Sequence, residues 1–258
     1  MKKYLPFLLL LVGVLVLVGV YFKFFRKSTA MPSTVESESV PVVTLANRPV
    51  TSLTPSSDGH WLELNVKKIK ITAASLDYEL LYNLPDGRTQ GVPGTVKLDG
   101  ISEVQRDLLL GSESSGKYKY DEGVEKGTIT LRFRDANGKL IAKFSTEFHL
   151  QTGTKQLTST DGKFTYSLDK TSGFEFLVTM ETFGYPGDSN SAVSSGPYGV
   201  FKAVAKVKTA HGPLPITSAI FPGTVGISGG SVYQANDSGW IKLSDNKSSD
   251  VGIFIGTQ

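Results

Sequence analysis

The chain has 258 residues, of which 40% are hydrophobic, enough for one large or two ordinary domains with buried cores. That composition excludes an intrinsically disordered chain. The formal net charge of +3 is too small to predict a nucleic-acid partner, and the absence of cysteine excludes disulfides, thiolate metal sites and cysteine nucleophiles.

The first predicted element is an apolar helix from Tyr4 to Phe22, nineteen residues without a charge. At a rise of ~1.5 Å per residue it spans ~28 Å, close to the thickness of the bilayer hydrocarbon. We expect residues 1–27 to be an N-terminal anchor that binds membrane lipid in a single pass. A cleaved signal peptide is the alternative, with Ser28 and Ala30 as the small residues near the cut, but three basic residues separate the apolar run from that point.

Charge does not orient this helix, because the amino terminus with Lys2 and Lys3 balances three basic residues on the other flank. The order of a short basic head, one apolar stretch and a polar spacer is that of a signal anchor, so we expect an extracytoplasmic C-terminal part. An ectodomain without cysteine is typical of a prokaryotic cell envelope. All five charged residues of the first 27 are basic, so the remaining chain carries 22 basic and 24 acidic side chains. This slightly acidic part again argues against a nucleic-acid partner.

Residues 28–59 are predicted to be an extended linker. They contain seven Ser, five Thr and four Pro, and no aromatic residue, so they have little to bury. Val40 to Leu45 is the one apolar patch, and Pro41 limits it to an edge strand.

From His60 onward the sequence alternates between apolar and polar residues and is interrupted by turn residues. Thr128–Arg134 and Leu140–Leu150 are the clearest pair of strands, joined by a turn that contains Asn-Gly. Leu76–Leu84 is a third, and Ser102–Gly111, where a helix-capping pattern competes with the alternation, is interpreted as a strand. The second half continues with shorter segments: Lys163–Leu168, Phe174–Met180, Gly199–Thr209, Ile216–Phe221, Ser231–Gln234, Trp240–Leu243 and Val251–Ile255.

Short strands separated by turn residues predict an all-β chain built from antiparallel β-sandwiches. The polar segment 151–156 divides the strands into residues 60–154 and residues 155–258. Each part is close to the ~100 residues of an immunoglobulin-like sandwich. A single large sandwich is the alternative.

Short matches to catalytic motifs lack the context that the chemistry needs. Gly226–Gly230 fits G-x-S-x-G, but its flanks resemble strands and no histidine follows His211. Ser114–Lys117 and Ser244–Asn246 match two motifs of penicillin-binding enzymes, but the required K-T-G strand does not follow. We predict that the protein is not an enzyme and has no catalytic residue; the alternative is an envelope hydrolase whose Ser/Lys site is assembled from distant residues.

The three histidines, at positions 60, 149 and 211, are not spaced as zinc ligands, so neither a metal site nor a cofactor is predicted. We expect His149 to lie on the polar face of its strand, in contact with solvent.

The connection from Phe183 to Tyr198 is the most informative candidate site, because a sixteen-residue loop is often functional. Its aromatic rings can stack on a ligand and its polar groups can bind a sugar or a peptide; an alternative is that the rings only hold the loop against the sheets. The candidate binding residues are Phe183, Tyr185, Asp188, Asn190 and Tyr198.

We therefore expect a membrane-anchored extracytoplasmic protein that serves the cell envelope as a binding, adhesion or structural module, with a protein or glycan as ligand. An accessory subunit of a membrane complex is a further alternative, since fold alone does not determine function.

Overall fold

The computed structural model describes residues 40–187, 193–202, 208–209, 212–213, 219–236 and 239–258, and residues Val40–Gln258 form one compact unit. The predicted membrane helix Tyr4–Phe22 lies outside these residues. Within the described ranges, no helix is long enough and apolar enough to cross a bilayer.

The described part of the first half, residues 40–154, contains nine strands and one short 3-10 turn, Leu45–Asn47. The strands are β1 (Val50–Pro55), β2 (Trp61–Lys67), β3 (Ser75–Asn83), β4 (Thr89–Lys97), β5 (Val104–Leu109), β6 (Gly111–Ser114), β7 (Lys117–Tyr120), β8 (Lys126–Arg134) and β9 (Leu140–Gln151).

The described part of the second half adds strands that are mostly shorter, and a second 3-10 turn, Ser244–Asn246. The strands are β10 (Gln156–Thr158), β11 (Phe164–Leu168), β12 (Leu177–Glu181), β13 (Val193–Lys202), β14 (Lys208–Thr209), β15 (Gly212–Pro213), β16 (Gly223–Ile227), β17 (Ser231–Asn236), β18 (Gly239–Lys242), β19 (Lys247–Ser248) and β20 (Ile253–Thr257).

The strands form antiparallel sheets. The largest has nine strands in the order β18-β17-β20-β13-β12-β9-β8-β3-β4 and crosses from one half of the chain to the other. A three-stranded sheet, β1-β2-β5, and a four-stranded sheet, β10-β11-β16-β19, accompany it, together with the hairpins β6-β7 and β14-β15. The prediction of an all-β chain with antiparallel sheets is confirmed, and the arrangement is consistent with a β-sandwich.

Two separate hydrophobic clusters form the core. The first joins the three-stranded sheet to strands of the first half, as with Leu64 of β2 and Leu131 of β8. The second joins the four-stranded sheet to strands of the second half, as with Tyr166 of β11 and Phe254 of β20, whose ring centroids are 5.6 Å apart.

Strand β12 belongs to both clusters. Leu177 packs in the second cluster, whereas Val178 and Met180 pack in the first. Since successive side chains of a strand point to opposite faces, the two clusters lie on opposite faces of the nine-stranded sheet. The smaller sheets therefore cover it on different sides in the two halves, and β12 lies where the covered side changes.

The hairpins β1-β2 and β10-β11 share the same turn. In the first, Ser56 Oγ donates to Asp58 Oδ1 over 2.5 Å, and the backbone N–H of Trp61 donates to Ser56 Oγ over 3.0 Å. In the second, Ser159 Oγ donates to Asp161 Oδ1 over 2.5 Å, and the N–H of Phe164 donates to Ser159 Oγ over 3.1 Å. Every participant of the second turn follows its counterpart by 103 residues.

Most predicted strands are found, with shifted ends. Ser102–Gly111 contains β5, which confirms the strand interpretation. The structure differs in the predicted linker, where Val50–Pro55 forms β1 and Val40–Leu45 does not form a strand. The predicted strand Phe174–Met180 begins only at Leu177, and Phe174 is 98% exposed.

Candidate functional site

The five predicted binding residues occupy different environments. Phe183 is buried in the first hydrophobic cluster and Tyr198 in the second. Tyr185 makes an edge-to-face contact with Trp240, with ring centroids 5.7 Å apart. Asp188 and Asn190 lie outside the described residues. Since β13 begins at residue 193, the connection is shorter than the predicted sixteen residues, and the buried rings of Phe183 and Tyr198 do not expose a stacking face.

A tight backbone arrangement after β12 places Phe183 in the core. Its φ is +62°, an uncommon value for a residue other than glycine, and its ring lies 5.4 Å from that of Phe144. The hydroxyl of Thr182 donates to the carbonyl of Gly184 over 2.6 Å, and the N–H of Gly184 donates to the carbonyl of Pro49 over 3.0 Å. These bonds fix the end of β12, and so they position Glu181, its last residue.

Two neighbouring lobes open on either side of Glu181. The first has a volume of about 340 Å³ and lies between the Ser159–Asp161 turn, β9 and the end of β12. The second, of about 350 Å³, lies between β9 and the segment from Val40 to Arg48. Both lobes are lined by Ser145 and Glu181. We call the two lobes together the Glu181 groove.

Glu181 is half-buried, and burial raises the pKa of its carboxyl above the ordinary value. The charge of Arg48 opposes this rise in pKa and that of Asp161 adds to it. No hydrogen bond or ion pair joins the Glu181 carboxyl to any of the described residues. The groove thus holds a carboxyl group with unused hydrogen-bonding capacity.

The hydroxyl of Tyr198 donates a 2.6 Å hydrogen bond to Asp161 Oδ2 at the wall of the first lobe. Burial raises the pKa of Tyr198 and the Asp161 carboxylate raises it further, so the phenol remains protonated. Burial would also raise the pKa of Asp161, but hydrogen bonds from Ser159, Tyr198 and the backbone of Lys163 hold that pKa below its usual range. Asp161 is therefore an ionised, fully engaged group that stabilises the wall.

Two of the hydroxyls that line the first lobe have unused capacity. Thr128 and Thr160 form no side-chain hydrogen bond to the described residues. By contrast, Ser145 Oγ is 3.0 Å from Thr130 Oγ1, and Ser159 Oγ donates to Asp161. The side chain of Glu147, which is exposed, likewise forms no hydrogen bond to the described residues, so the groups open to a ligand are Glu147, Glu181, Thr128 and Thr160.

A second cleft, of about 390 Å³, lies beside the equivalent turn of the first half. Its lining includes Asp58, His60, Asp121, Glu125 and His149. Within the described ranges, no group of three or more histidine and carboxylate side chains is placed to hold a metal ion.

His149 is not the solvated side chain that the sequence suggests. It is half-buried, and its Nδ1–H donates to the carbonyl of Thr158 over 2.8 Å. Burial lowers the pKa of His149, although the bond to Thr158 acts in the opposite direction. The ring thus bridges β9 to the outer edge of β10, and burial favours its neutral form.

The short catalytic-motif matches fall on strands and turns. Gly226 and Ile227 end β16, and β17 follows after three residues, so the flanks are strands as expected. Ser114 and Lys117 face each other as cross-strand partners at the end of the β6-β7 hairpin. The ammonium of Lys202, whose side chain is 11% exposed, contacts Asp250 and the carbonyl of Ala219.

The sequence did not single out Glu181 or Asp161. Glu181 follows an apolar run, and a charged residue at such a position is usually interpreted as the exposed end of a strand. Asp161 belongs to a Ser-x-Asp-Gly segment that also occurs at Ser56–Gly59. That repetition was available in the sequence, but four residues are too few to distinguish a shared turn from chance.

A comparison of the chain with protein-family models and with curated proteins finds no match.

Proposed function

We propose that the protein is a membrane-anchored extracytoplasmic binding module of the cell envelope, and that the Glu181 groove is its ligand site. The carboxyl of Glu181 carries the proposal, because it is half-buried without a partner among the described residues. A half-buried polar group that lacks a partner costs stability, and a ligand that supplies the missing hydrogen bond removes that cost.

In this proposal the chain has two sandwich domains, residues 60–154 and residues 155–258. They follow a linker and a membrane helix that spans about residues 4–22. Two observations support the division. The hydrophobic clusters are separate, and the same Ser-x-Asp-Gly turn occurs twice, at Ser56–Gly59 just before the first domain and at Ser159–Gly162 near the start of the second. The uncharged run Tyr4–Phe22 supports the anchor.

A binding role agrees better with the described residues than the Ser/Lys hydrolase alternative does. That mechanism needs a lysine that is desolvated and unpaired, so that its amine can act as a base. The ammonium of Lys202, whose side chain is 11% exposed, is instead paired with Asp250.

Photo-crosslinking of the full-length chain in intact cells tests the groove. A photoreactive amino acid replaces Thr160, which lines the first lobe, and in a matched chain it replaces Glu103, which is exposed and lines none of the clefts described above. Adducts from position 160 and not from position 103 are the expected result. Equal adduct formation at both positions, or none at position 160 in a folded chain, would contradict the proposal.

A further inference from the structure

The chemistry of the first lobe indicates the class of its ligand. Hydroxyl groups dominate the lining: those of Thr128, Ser145, Thr146, Ser159, Thr160 and Tyr198. The only large ring among them, that of Tyr198, is buried in the second hydrophobic cluster. A ligand is therefore recognised in this lobe through hydrogen bonds at its edge and not through stacking.

The charges around the groove offset each other. Glu147, Asp161 and Glu181 line the first lobe, while Arg48 and Lys143 line the second beside Glu181. Lys163 lies next to Asp161, with its Nζ 3.9 Å from Oδ2. The first lobe has only acidic residues among its charged lining, so an anion would meet these carboxyls, whereas a cation that extends over both lobes would also meet Arg48 and Lys143. Over the whole groove, net electrostatic attraction therefore selects neither.

The unused groups are suited to a ligand that both donates and accepts hydrogen bonds. Threonine hydroxyls can do either, and an ionised carboxylate accepts, whereas its protonated form also donates. Because burial raises the pKa of Glu181, the environment favours its neutral form more than water does. A sugar hydroxyl satisfies each of these groups in either role.

We propose that the Glu181 groove binds an uncharged saccharide, whose hydroxyls form hydrogen bonds with Thr128, Thr160 and Glu181. This inference rests on the proposed function, since it names the ligand class of the same site. Each lobe, at about 340–350 Å³, has the volume of a small-ligand site, so a short stretch of a glycan fits and a folded partner does not.

Binding measurements on the full-length chain in detergent micelles test the ligand class. The probes are neutral oligosaccharides on an array, with spermine as a cationic comparator and heparin as an anionic one. The variants are Thr160→Val, which removes one hydroxyl at nearly constant shape, Glu181→Ala, and Glu103→Gln as an exposed control.

We expect binding to at least one neutral oligosaccharide. Thr160→Val should weaken it about threefold to tenfold, the range of one neutral hydrogen bond, and Glu181→Ala about tenfold or more. Glu103→Gln should leave the affinity unchanged. Circular dichroism of each variant separates loss of a contact from loss of the fold.

Two negative outcomes have different meanings. If the crosslinker at position 160 forms adducts but no neutral oligosaccharide binds, or if spermine or heparin binds instead in a Glu181-dependent manner, the saccharide class is wrong and the groove remains a ligand site. If position 160 forms no adducts in cells and no probe responds to Glu181→Ala, the proposed function itself is wrong.

Discussion

Asp58 and Asp161 hold the same position in two equivalent turns, each accepting a hydrogen bond from a serine hydroxyl two residues earlier and from the backbone N–H two residues later. They differ in their further partners, because Asp161 also accepts the hydrogen bond of Tyr198 and lies 3.9 Å from Lys163 Nζ. The turn of the second half is therefore tied to β13 at the wall of the Glu181 groove.

This difference predicts unequal effects of the same substitution. Asp161→Asn should lower the free energy of unfolding by about 1–3 kcal/mol, because it weakens several hydrogen bonds to a charged acceptor. Asp58→Asn should lower the free energy of unfolding by less, since the Asp58 carboxylate accepts no hydrogen bond from a tyrosine. Chemical denaturation of both variants measures the difference, and equal losses would show that the bond to Tyr198 adds nothing.

The pH dependence of stability should also reflect Asp161. Hydrogen bonds lower its pKa in the folded state, so the stabilisation is present above the ordinary aspartate pKa and is lost as pH falls through the lower folded value. As the pH falls, the Asp161→Asn variant should therefore lose less of its free energy of unfolding than the wild type does. Denaturation curves at a series of acidic pH values test the sign.

Glu181→Gln should stabilise the protein at neutral pH. Burial raises the pKa of Glu181 in the folded state, so its contribution is most favourable below the ordinary glutamate pKa and is lost as pH rises through the folded value. Glutamine keeps the shape without the ionisation. The melting temperatures of the wild type and the variant should therefore diverge from about pH 4 upward. Glu103→Gln is the control, and a neutral or destabilising effect of Glu181→Gln at pH 7 would contradict the prediction.

Gly184→Ala should be strongly destabilising. A Cβ at this position would lie 2.2 Å from the backbone carbonyl oxygen of Arg48, so the two segments that fix the end of β12 would have to separate. We expect the free energy of unfolding to fall by about 1–3 kcal/mol or more, the range for overpacking of a protein core. Gly230→Ala is a suitable control because its nearest neighbour would lie at 3.5 Å, and similar losses in the two variants would contradict this explanation.

Lys202→Met should lower the free energy of unfolding by about 3 kcal/mol. The lysine side chain is only 11% exposed, and its removal leaves the Asp250 carboxylate without its ion-pair partner. The backbone N–H groups of Phe221 and Val251 would still donate to Asp250. Arg88→Met, which breaks an exposed pair with Asp86, should have little effect, and a comparable loss there would indicate a general charge effect.

The strands that sequence patterns identify well are those with one buried face. Thr128–Arg134 and Leu140–Leu150 alternate regularly and are joined by a turn that contains Asn-Gly, and they become β8 and β9. The structure confirms this pair. The prediction succeeds because one side of each strand faces solvent, so that the alternation of apolar and polar residues follows burial directly.

Other elements depend on contacts that are distant in the sequence. β1 lies in a segment rich in Ser, Thr and Pro and is stabilised by pairing with β2 and by a hydrogen bond from Thr51 N–H to the carbonyl of Thr182. β12 is buried on both faces, so its first four residues do not alternate. Glu181 acquires its environment only when β9, β13 and the Ser159–Asp161 turn come together, and no local pattern encodes that meeting.

The shared strand β12 also has a consequence for synthesis on the ribosome, where the first half of the chain emerges before the second. The hydrophobic core of the first half includes Val178, Met180 and Phe183. These three residues are translated after the whole of residues 60–154. Until those residues leave the exit tunnel, the hydrogen-bonding edge of β9 that pairs with β12 is unoccupied. The nascent first half is therefore incomplete for the time needed to add about thirty residues, a few seconds at typical elongation rates, and this is the interval in which we expect it to need protection from aggregation.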